Sequence, residues 1–357
     1  MSWLALKVDV DTYRGTLIGV PRLVELFERL GVRATFLFTL GPDHTGRALK
    51  RVFRRGFIGK VRRTSVVQHY GLKTLLYGTV LPGPHIAHRC EAVLKDVARR
   101  EFEVGVHAYD HVKWQDSVHN ANLQWTQHEL KLARDQFVDL FGQYPQVHGA
   151  AGWQINRFVP GLESLLGFRF ASDVRGECPF IPVAVDGQIL GVPQVPTTLP
   201  TLDELIGRPD LNGTPPTDHL QNLTAAAPEK HHVFTLHAEL EGGAYLGAFE
   251  QLLRGWKNQG RQFGSLTDYY ETLDFQRLPR YPVVSAELPG RSGLLACQGP
   301  SEDVRVEDDP PAEISSLERM TALKAERYVE MITEMKRLQA LHDPFRMSFG
   351  REDSHDR

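Results

Sequence analysis

The sequence predicts an α/β fold, a deformed (β/α) barrel of about seven parallel strands. Short apolar runs alternate with longer stretches of helical periodicity, and repeated strand–helix units imply parallel strands covered by helices. About seven such units favour a barrel over an open sheet. The 357 residues, 41% of them apolar, are enough for one domain of barrel size plus an appendage, or for two ordinary domains.

The predicted elements follow one another along most of the chain. Apolar runs predict strands at residues 3–10, 33–39, 103–107, 146–150, 168–172 and 232–237. Helical patterns occupy residues 20–30, 90–100, 123–141, 162–166 and 247–259. Pro21 stands near the start of the first helix, where its missing N–H does no harm.

The segment from residue 44 to residue 90 interrupts this alternation. It holds no Asp or Glu but ten Lys or Arg, among them Arg54, Arg55, Arg62 and Arg63, with apolar residues interleaved. Such a segment can lie as an amphipathic element in a membrane interface. A solvated basic face or a disordered loop is the alternative.

The last part of the chain differs from the rest. From residue 301 an acidic, Pro-rich stretch precedes a helical pattern at about 312–341, whose narrow apolar stripe has charged flanks. Such a stripe is typical of an appended helix rather than a core element. We therefore expect one domain over residues 1–299, with 44–90 as its basic insertion, and an acidic linker plus helical tail over 300–357.

Composition and charge argue against several classes of protein. A formal net charge of −3 gives no general reason to expect a nucleic-acid partner. Cys90, Cys178 and Cys297 are odd in number and widely spaced, which argues against a disulfide framework and for a reducing compartment. The N-terminal apolar run is too short for a signal peptide, and no run reaches the ~18 apolar residues that span a bilayer. We expect a cytoplasmic protein, soluble or bound to a membrane from the cytoplasmic side.

Asp9 and Asp11 stand at the end of the first predicted strand. Side chains alternate along a strand, so both carboxylates leave on the same face. Burying two acids together is costly unless a cation or a shared proton compensates. The pair therefore indicates a cation site or an acid–base pair, with a capping Asp beside a solvated neighbour as the alternative.

His107 and His111 lie in the stretch HAYDH, directly after the third predicted strand. Histidines at i and i+4 share one face if the segment begins a helix, which suits a single metal ion. With one carboxylate they would supply two imidazoles and one acid, leaving positions for water and substrate. Like Asp9 and Asp11 they end a strand, and parallel barrels collect their active sites at that end.

Three further ionisable residues follow strand-like runs. His237 ends the run HVFTLH, where it is either a core histidine or a general acid. Asp173 and Arg175 follow the run at 168–172, where the plain interpretation is a surface turn with a weak ion pair. Taken together, the candidate carboxylates and imidazoles end several strands that would meet at one end of the barrel.

The order Asp-x-Asp, His-x-x-x-His and a late Leu-His resembles the polysaccharide deacetylase family, metal-dependent carbohydrate esterases with a deformed (β/α) barrel. Longer motifs resemble the branch of deformylases that act on a lipid-linked formamido sugar. These motifs are VDVDTYRG, GVPRL, GVHAYDHVKWQ, AAGW, SDVRG, PTTLPTLDE, IGR and TLHAELEG. The similarity runs from about residue 3 to about residue 299, where GRSGLLACQ ends it.

The resemblance implies a role for each of the first candidates. Asp9 would be the general base and His237 the general acid. Asp11, His107 and His111 would bind the metal. The wider family often has adjacent aspartates where this chain has Asp-Val-Asp, so which of the two binds the metal stays open.

The resemblance also implies partners for the acid and the base. Asp173 resembles the acidic residue that polarises His237. In the wider family a further motif supplies an arginine that orients the base, together with an aromatic wall. Here residues 149–153 read GAAGW, with a tryptophan but no arginine. We therefore expect Arg175 to pair with Asp9.

The implied reaction is hydrolysis of the formamide of 4-deoxy-4-formamido-L-arabinose on undecaprenyl phosphate, for lipid A modification and resistance to peptides such as polymyxin. Trp153 and Tyr109 would contact the substrate. The arginines of 44–90 would contact its phosphate and the anionic cytoplasmic face of the inner membrane. The cofactor would be a divalent metal ion, zinc first, with manganese, cobalt or nickel as alternatives.

Two other functions stay open. One is a deacetylase of another N-acylated sugar, against which the basic insertion argues, because a soluble substrate needs no cationic apolar platform. The other is a non-catalytic protein that holds a lipid-linked glycan, in which unused buried charges would cost stability. No nucleic-acid-binding motif accompanies the basic segment, and the sequence does not indicate an oligomeric state.

Overall fold

A curled sheet of seven parallel strands forms the centre of the protein. The computed structural model describes residues 2–48, 74, 76–184 and 186–300. The strands in chain order are β1 (Trp3–Val10), β2 (Thr35–Thr39), β3 (Glu103–Ala108), β4 (Val147–His148), β5 (Phe170–Ala171), β6 (Ile181–Pro182), β7 (His232–His237), β8 (Gln262–Gly264), β9 (Arg280–Tyr281), β10 (Val283–Glu287) and β11 (Leu294–Gln298). The central sheet has the order β5-β4-β3-β2-β1-β7, with β8 also paired to β1.

Helices connect and cover these strands. In chain order they are α1 (Val20–Leu30), α2 (Ile86–Arg89), α3 (Glu91–Arg99), α4 (His111–Ser117), α5 (Leu123–Phe141), α6 (Val159–Leu166), α7 (Leu202–Leu205), α8 (Pro216–Ala226), α9 (Leu246–Asn258) and α10 (Leu266–Tyr270). Two π-helical turns, Gly15–Gly19 and Leu240–Ala244, follow β1 and β7. Among the helices of the described ranges, none is both long enough and apolar enough to cross a bilayer.

Burial on both faces explains why the central strands are continuous apolar runs. Every residue of β1 after Trp3 is buried, and so is every residue of β2. Apolar side chains of α1, α3, α5 and α9 join those of the strands in the largest core cluster. A parallel sheet covered in this way has no solvated side that would impose polar alternation.

The two ends of the sheet, β5 and β7, are joined by an irregular segment, residues 193–199, which we call the seam. At one end the Val195 N–H donates to the Ala171 carbonyl of β5 (2.7 Å). At the other end the Thr198 N–H donates to the Val233 carbonyl of β7 (3.1 Å). The predicted deformed barrel of about seven strands is confirmed, and the seam is where its strand pairing is irregular.

Prediction and structure agree best for long elements. Four predicted elements have the observed bounds, namely Trp3–Val10, Val20–Leu30, Leu123–Phe141 and His232–His237. The predicted strands at 146–150 and 168–172 shorten to the two-residue β4 and β5. The prediction lacks α8, β8 and the β10–β11 hairpin, because β8 has only three residues and α8 has a weak amphipathic pattern.

Two predicted features lie outside the described residues. They are most of the basic insertion, including its four named arginines, and the tail helix at about 312–341. The chain divides into a unit over 1–304, described above, and a second unit over 305–357 that the structure does not describe. The boundary expected at residue 299 stays a prediction.

The two π-helical turns pack backbone against backbone. A Cβ added to Gly242 would lie 2.6 Å from Gly19 Cα and 2.6 Å from its carbonyl oxygen, and one added to Gly19 would lie 2.0 Å from the Ala238 carbonyl oxygen. Only a residue without a side chain permits an approach this close. The contact holds the loops after β1 and β7 beside each other, at the strand ends that carry the candidate site.

Candidate active site

The C-terminal end of β1 presents three ionisable side chains at alternate positions, Lys7, Asp9 and Asp11. β7 runs beside β1, with Asp9 in register with His237. Neighbours in register on parallel strands point to the same side of a sheet. The carboxylates that follow one another on β1 and the imidazole of β7 therefore meet at one end of the barrel.

Asp11 lies between the two predicted histidine ligands. Its Oδ1 is 3.2 Å from His107 Nε2, and its Oδ2 is 3.4 Å from His111 Nε2. One ligand atom from each of the three residues lies within 4.8 Å of the others. One carboxylate with two imidazoles is a donor set for a divalent ion. The histidines come from two elements rather than one helix, since His107 is in β3 and His111 begins α4.

A hydrogen bond orients the ring of His107, and a helix cap fixes the position of His111. The His107 Nδ1–H donates to the Gly149 carbonyl (2.6 Å), which leaves the lone pair of Nε2 facing the candidate metal site. Asp110 caps α4 by accepting from the Lys113 N–H (3.0 Å), and the cap fixes the helix start at His111. Outer partners of this kind set the tautomer and the direction of histidine ligands.

Buried acceptor atoms indicate that a cation fits this site. Asp11 Oδ1 and Asp9 Oδ1 are buried and have no hydrogen-bond partner in the part of the chain that the structure describes. Burial opposes the charge on Asp11, but His111 and His107 outweigh it and hold its pKa below the ordinary value. Burial lowers the pKa of His111, so this ring is neutral at pH 7. Carboxylate oxygens and imidazole nitrogens that face one another are the surroundings that a divalent ion completes.

Lys7, not Arg175, is the cation beside Asp9. Lys7 Nζ lies 3.6 Å from Asp9 Oδ2, and the lysine side chain is fully buried. The expected pairing of Arg175 with Asp9 is wrong. The Arg175 guanidinium instead donates to Glu204 Oε1 (2.5 Å) and to the Leu199 carbonyl (3.0 Å). Glu204 neutralises Arg175 beside the seam, and β1 itself supplies the partner of Asp9.

Asp203, not Asp173, is the carboxylate beside His237. Asp203 Oδ1 is 3.7 Å from His237 Nδ1, and Asp203 Oδ2 is 3.1 Å from Arg291. Burial opposes the charge on Asp203, but Arg291 and His237 outweigh it and hold its pKa below the ordinary value. An ionised carboxylate at this place suits a histidine that must hold and release a proton.

Asp173 belongs to a separate buried cluster, so its expected role beside His237 is wrong. His148 Nδ1 lies 3.1 Å from Asp173 Oδ1 and 2.5 Å from Glu163 Oε1. Although burial opposes both charges, the carboxylates raise the pKa of His148 to about 10, and His148 lowers the pKa of Asp173 to about 2. Asp173 also accepts from the Ala150 N–H (2.7 Å). The cluster therefore holds the loop that follows β4.

Trp153 lies behind the site rather than at its surface. It is only 1% exposed, so the expected direct contact with substrate does not fit its burial. Its ring is edge-on to His237, with centroids 6.4 Å apart. The cationic groups of Lys7, Arg175 and Arg291 lie 5.3, 4.9 and 4.8 Å from its centroid. Trp153 thus packs beside both Lys7, the partner of Asp9, and His237.

The structure does not test the other expected substrate contacts. Tyr109 is half-buried, and its hydroxyl lies 3.4 Å from His85 Nε2. The arginines of the basic insertion lie outside the described residues, namely Arg54, Arg55, Arg62 and Arg63. Their roles stay predictions.

Sequence reasoning missed three residues of the site, Lys7, Asp203 and Glu239. Glu239 Oε1 accepts from the N–H groups of Asp11 (3.1 Å) and Thr12 (2.8 Å), which fixes the backbone at the end of β1. Lys7 had a signal, because it alternates with the two aspartates on a strand. Asp203 and Glu239 had none in their spacing, since their contacts depend on how loops meet in the fold.

Comparisons with known proteins agree with this architecture. The chain is 34% identical over 297 residues to a protein of Shewanella sediminis described as the 4-deoxy-4-formamido-L-arabinose-phosphoundecaprenol deformylase ArnD, covering 83% of this chain and 94% of that protein. A protein of Wigglesworthia glossinidia brevipalpis with the same description is 32% identical over 286 residues, covering 80% and 98%. A crystal structure described as a polysaccharide deacetylase from Mycobacterium smegmatis has a TM-score of 0.52 at 16% identity, covering 81% and 96%. No protein-family model matches the chain.

Fold, site and relatives together define a hydrolase of amide bonds built on the polysaccharide deacetylase fold. Within that class the chain belongs to the family of 4-deoxy-4-formamido-L-arabinose-phosphoundecaprenol deformylases, as its identity of 34% across 94% of one member requires.

Proposed function

We propose that this protein hydrolyses the formamide of 4-deoxy-4-formamido-L-arabinose carried on undecaprenyl phosphate, releasing formate and a free 4-amino group. The observation that carries the proposal is the meeting of Asp11, His107 and His111 within 4.8 Å, beside Asp9 and its register partner His237. The description of the relatives names this substrate. A formyl carbon has no methyl group, so the acyl pocket can be tight.

Asp11, His107 and His111 would hold a divalent ion, zinc or one of manganese, cobalt and nickel. When bound, such an ion polarises an amide carbonyl and lowers the pKa of a water molecule. The lowered pKa of His111 favours the neutral ring that binds a metal ion, and the hydrogen bond of His107 Nδ1 to Gly149 directs His107 Nε2 toward the site.

Asp9 would take the proton of the attacking water, and His237 would protonate the departing amine. The two residues are neighbours across β1 and β7, so base and acid face the same space from adjacent strands. Asp203 would stabilise the proton on His237 from 3.7 Å.

The product would commit the modified arabinose for transfer to lipid A, which masks negative charge and gives resistance to polymyxin. The arginines of residues 44–90 would bind the phosphate and the anionic cytoplasmic face of the inner membrane, at about 1 kcal/mol for each basic residue. Residues 1–299 would be the catalytic domain and 300–357 an appendage. The alignment with the relative spans 297 residues, a length similar to that of this catalytic domain.

Formate release from the lipid-linked formamido sugar tests the reaction. We expect the full chain to release formate, a chelator to abolish release, and added Zn²⁺ to restore it. His237→Ala should lower kcat by about 100-fold or more and still bind Zn²⁺. An N-acetyl analogue serves as the competing substrate, and faster release of acetate than of formate would favour the deacetylase alternative.

Zn²⁺ binding tests the ligand set without reference to activity. Zn²⁺ should raise the thermal midpoint of the wild-type protein, because a ligand that binds only the folded state stabilises it. The shift should disappear in His111→Ala and persist in His119→Ala, whose histidine is exposed two turns further along the chain. Equal shifts in both variants would remove His111 from the metal site.

A further inference from the structure

We propose that Lys7 is the positioning residue of the general base. Its ammonium group holds Asp9 Oδ2 and leaves Asp9 Oδ1 as the oxygen that takes the proton from water. This inference rests on the proposed function, because it names the atom of Asp9 that acts and the residue that selects it.

Three contacts fix the ammonium group of Lys7. It donates to the Ser172 carbonyl (2.8 Å), lies 3.6 Å from Asp9 Oδ2, and lies 5.3 Å from the centroid of the Trp153 ring. The side chain is fully buried, and a buried ammonium is costly unless a counter-charge accompanies it. Asp9 is the carboxylate that the structure pairs with it, so the two charges stabilise one another.

The fold leaves room for this lysine at one glycine. A Cβ added to Gly149 would lie 3.1 Å from Lys7 Cε, 3.2 Å from Lys7 Nζ and 2.4 Å from Leu37 Cδ1. The carbonyl of Gly149 also accepts the hydrogen bond that orients His107. The loop after β4 therefore touches the partner of the base on one side and a metal ligand on the other.

The two oxygens of Asp9 have different surroundings. Oδ2 faces Lys7, whereas Oδ1 is buried without a hydrogen-bond partner among the described residues and lies 3.9 Å from His107 Nδ1. The His107 Nδ1–H is already directed to the Gly149 carbonyl. Oδ1 is thus the oxygen of Asp9 with free lone pairs, and it lies beside the ring of the candidate metal ligand His107, as suits an atom that receives a proton from water.

A double-mutant cycle on the Zn²⁺-loaded full chain tests the proposal. Lys7→Met should lower kcat for formate release by about 100-fold, because misplacing a reacting group by an ångström has an effect of that size. KM and the Zn²⁺ dissociation constant should change by less than about threefold, since Lys7 is proposed to act through Asp9 and not to bind substrate or metal. Lys7→Arg should recover a large part of kcat. In an Asp9→Asn background, Lys7→Met should lower kcat no further.

Further variants separate charge from packing and from folding. Lys7→Gln can still donate to the Ser172 carbonyl but has no charge, so it should resemble Lys7→Met and replaces it if that variant does not fold. Lys95→Met, at an exposed helix position, is the matched control and should leave kcat unchanged. Unchanged kcat in Lys7→Gln, or losses that multiply in the double variant, would overturn the proposal.

A second measurement distinguishes failure of this proposal from failure of the proposed function. If the wild-type protein released no formate, the thermal midpoints of the same single and double variants would be measured without Zn²⁺. If the changes in midpoint for Lys7→Met and Asp9→Asn were not additive, this would support the pairing of Lys7 with Asp9. Additive midpoints would refute it, whatever the substrate.

Discussion

At the scale of single residues, two interior charges of this protein each lie beside an opposite charge. Lys7 accompanies Asp9 on β1, and Glu204 accompanies Arg175 beside the seam. A buried charge without a partner costs several kcal/mol, so each of these residues needs an opposite charge beside it. The sequence spacing does not reveal which residue supplies that charge. The surroundings of His237 illustrate this, because Asp203 reaches it from the short helix α7, far from β7 in the chain.

Asp203→Asn tests whether that neighbour supports proton transfer. Asparagine keeps the shape but removes the charge that stabilises a proton on His237, so kcat should fall roughly 10- to 100-fold with Zn²⁺ affinity unchanged. Steady-state formate release and Zn²⁺ titration measure the two quantities. Asp210→Asn is the matched control, since Asp210 pairs with Arg208 at the surface. Equal kcat values in the two variants would rule out a role for Asp203 in the acid step.

Much of the site at this scale could be predicted because it follows strand ends. Asp9, Asp11, His107 and His237 all lie at the C-terminal ends of apolar runs, where a parallel barrel brings its chemistry together. The partners were predicted less well. Asp173 also follows a strand, but His148 neutralises it within the core, where His148 also contacts Glu163. Nothing in the sequence spacing of these residues indicates that contact.

At the scale of elements, close packing of the loops after β1 and β7 sets the position of the site. The helical turn at Gly15–Gly19 packs against the turn at Leu240–Ala244. The two backbones are so close that a side chain added at the contact would overlap the neighbouring turn. Both turns directly follow strands that carry site residues. A shift in this contact should therefore change stability and activity together.

Gly19→Ala should destabilise the protein through this contact. The new methyl group would lie 2.0 Å from the Ala238 carbonyl oxygen, so the free energy of unfolding should fall by about 3 kcal/mol. Gly247→Ala is the matched control, because a Cβ there meets nothing within 4 Å and the position is helical. That control should gain about 0.5 kcal/mol. Urea unfolding measures the stability of both variants. If Gly19→Ala were as stable as Gly247→Ala, the two turns could move apart without a loss of stability.

The His148 cluster links β4, α6 and the loop after β5, and it predicts a dependence of stability on pH. The folded-state pKa of His148 is about 10 against an ordinary 6.5, so its stabilisation is complete below pH 6.5 and is lost as pH rises toward 10. Burial and Asp173 also raise the pKa of Glu163. This shift likewise makes the folded protein less stable as the pH rises. The unfolding free energy should therefore fall between pH 7 and 9.

His148→Gln should flatten that fall by up to about 1.4 kcal/mol per pH unit, the contribution of one proton. The variant should also be less stable at pH 6 by about 3 kcal/mol, because it leaves Asp173 buried without its cation. Denaturant unfolding from pH 5 to 9 measures both effects. His128→Gln, at an exposed position on α5, should follow the wild-type profile. Parallel profiles for all three proteins would contradict a charged His148.

Element prediction succeeded where the periodic pattern was long and failed where pairing is local to the fold. β1, β7, α1 and α5 have the predicted bounds, and α5 also has clear ends, with Asn122 accepting from the Trp125 N–H at its start and Gly142 at its end with φ 70°. β4 and β5 keep only two paired residues each, because the chain there turns into the loops and the seam. No local pattern distinguishes such short strands from loops.

At the scale of the whole molecule, the fold accounts for the chemistry of an amide hydrolase but not for access to the lipid-linked substrate that we propose. The net charge of −3 provides no general attraction to an anionic surface. We propose that attraction to such a surface is local and comes from the ten basic residues between residues 44 and 90, which have no acidic residue among them. The seam and strand ends that carry the candidate site belong to other parts of the chain.

Replacing Arg54, Arg55, Arg62 and Arg63 by Gln should therefore separate membrane binding from chemistry. Each arginine contributes about 1 kcal/mol at an anionic surface, so affinity for phosphatidylglycerol vesicles should fall by about 100-fold or more. Turnover of a short-chain, water-soluble formamido substrate should stay unchanged, because none of the four belongs to the metal, base or acid groups. Vesicle sedimentation and formate release measure the two properties.

A control of equal charge makes this experiment specific to the segment. Four exposed arginines elsewhere can be changed to Gln together, namely Arg29, Arg99, Arg254 and Arg277. Both quadruple variants lose the same formal charge, so a purely global effect would weaken vesicle binding equally. We expect only the variant at residues 54–63 to lose vesicle binding. Added salt should weaken vesicle binding by the wild-type protein. Equal losses, or undiminished binding by that variant, would mean that the basic segment is not the membrane contact.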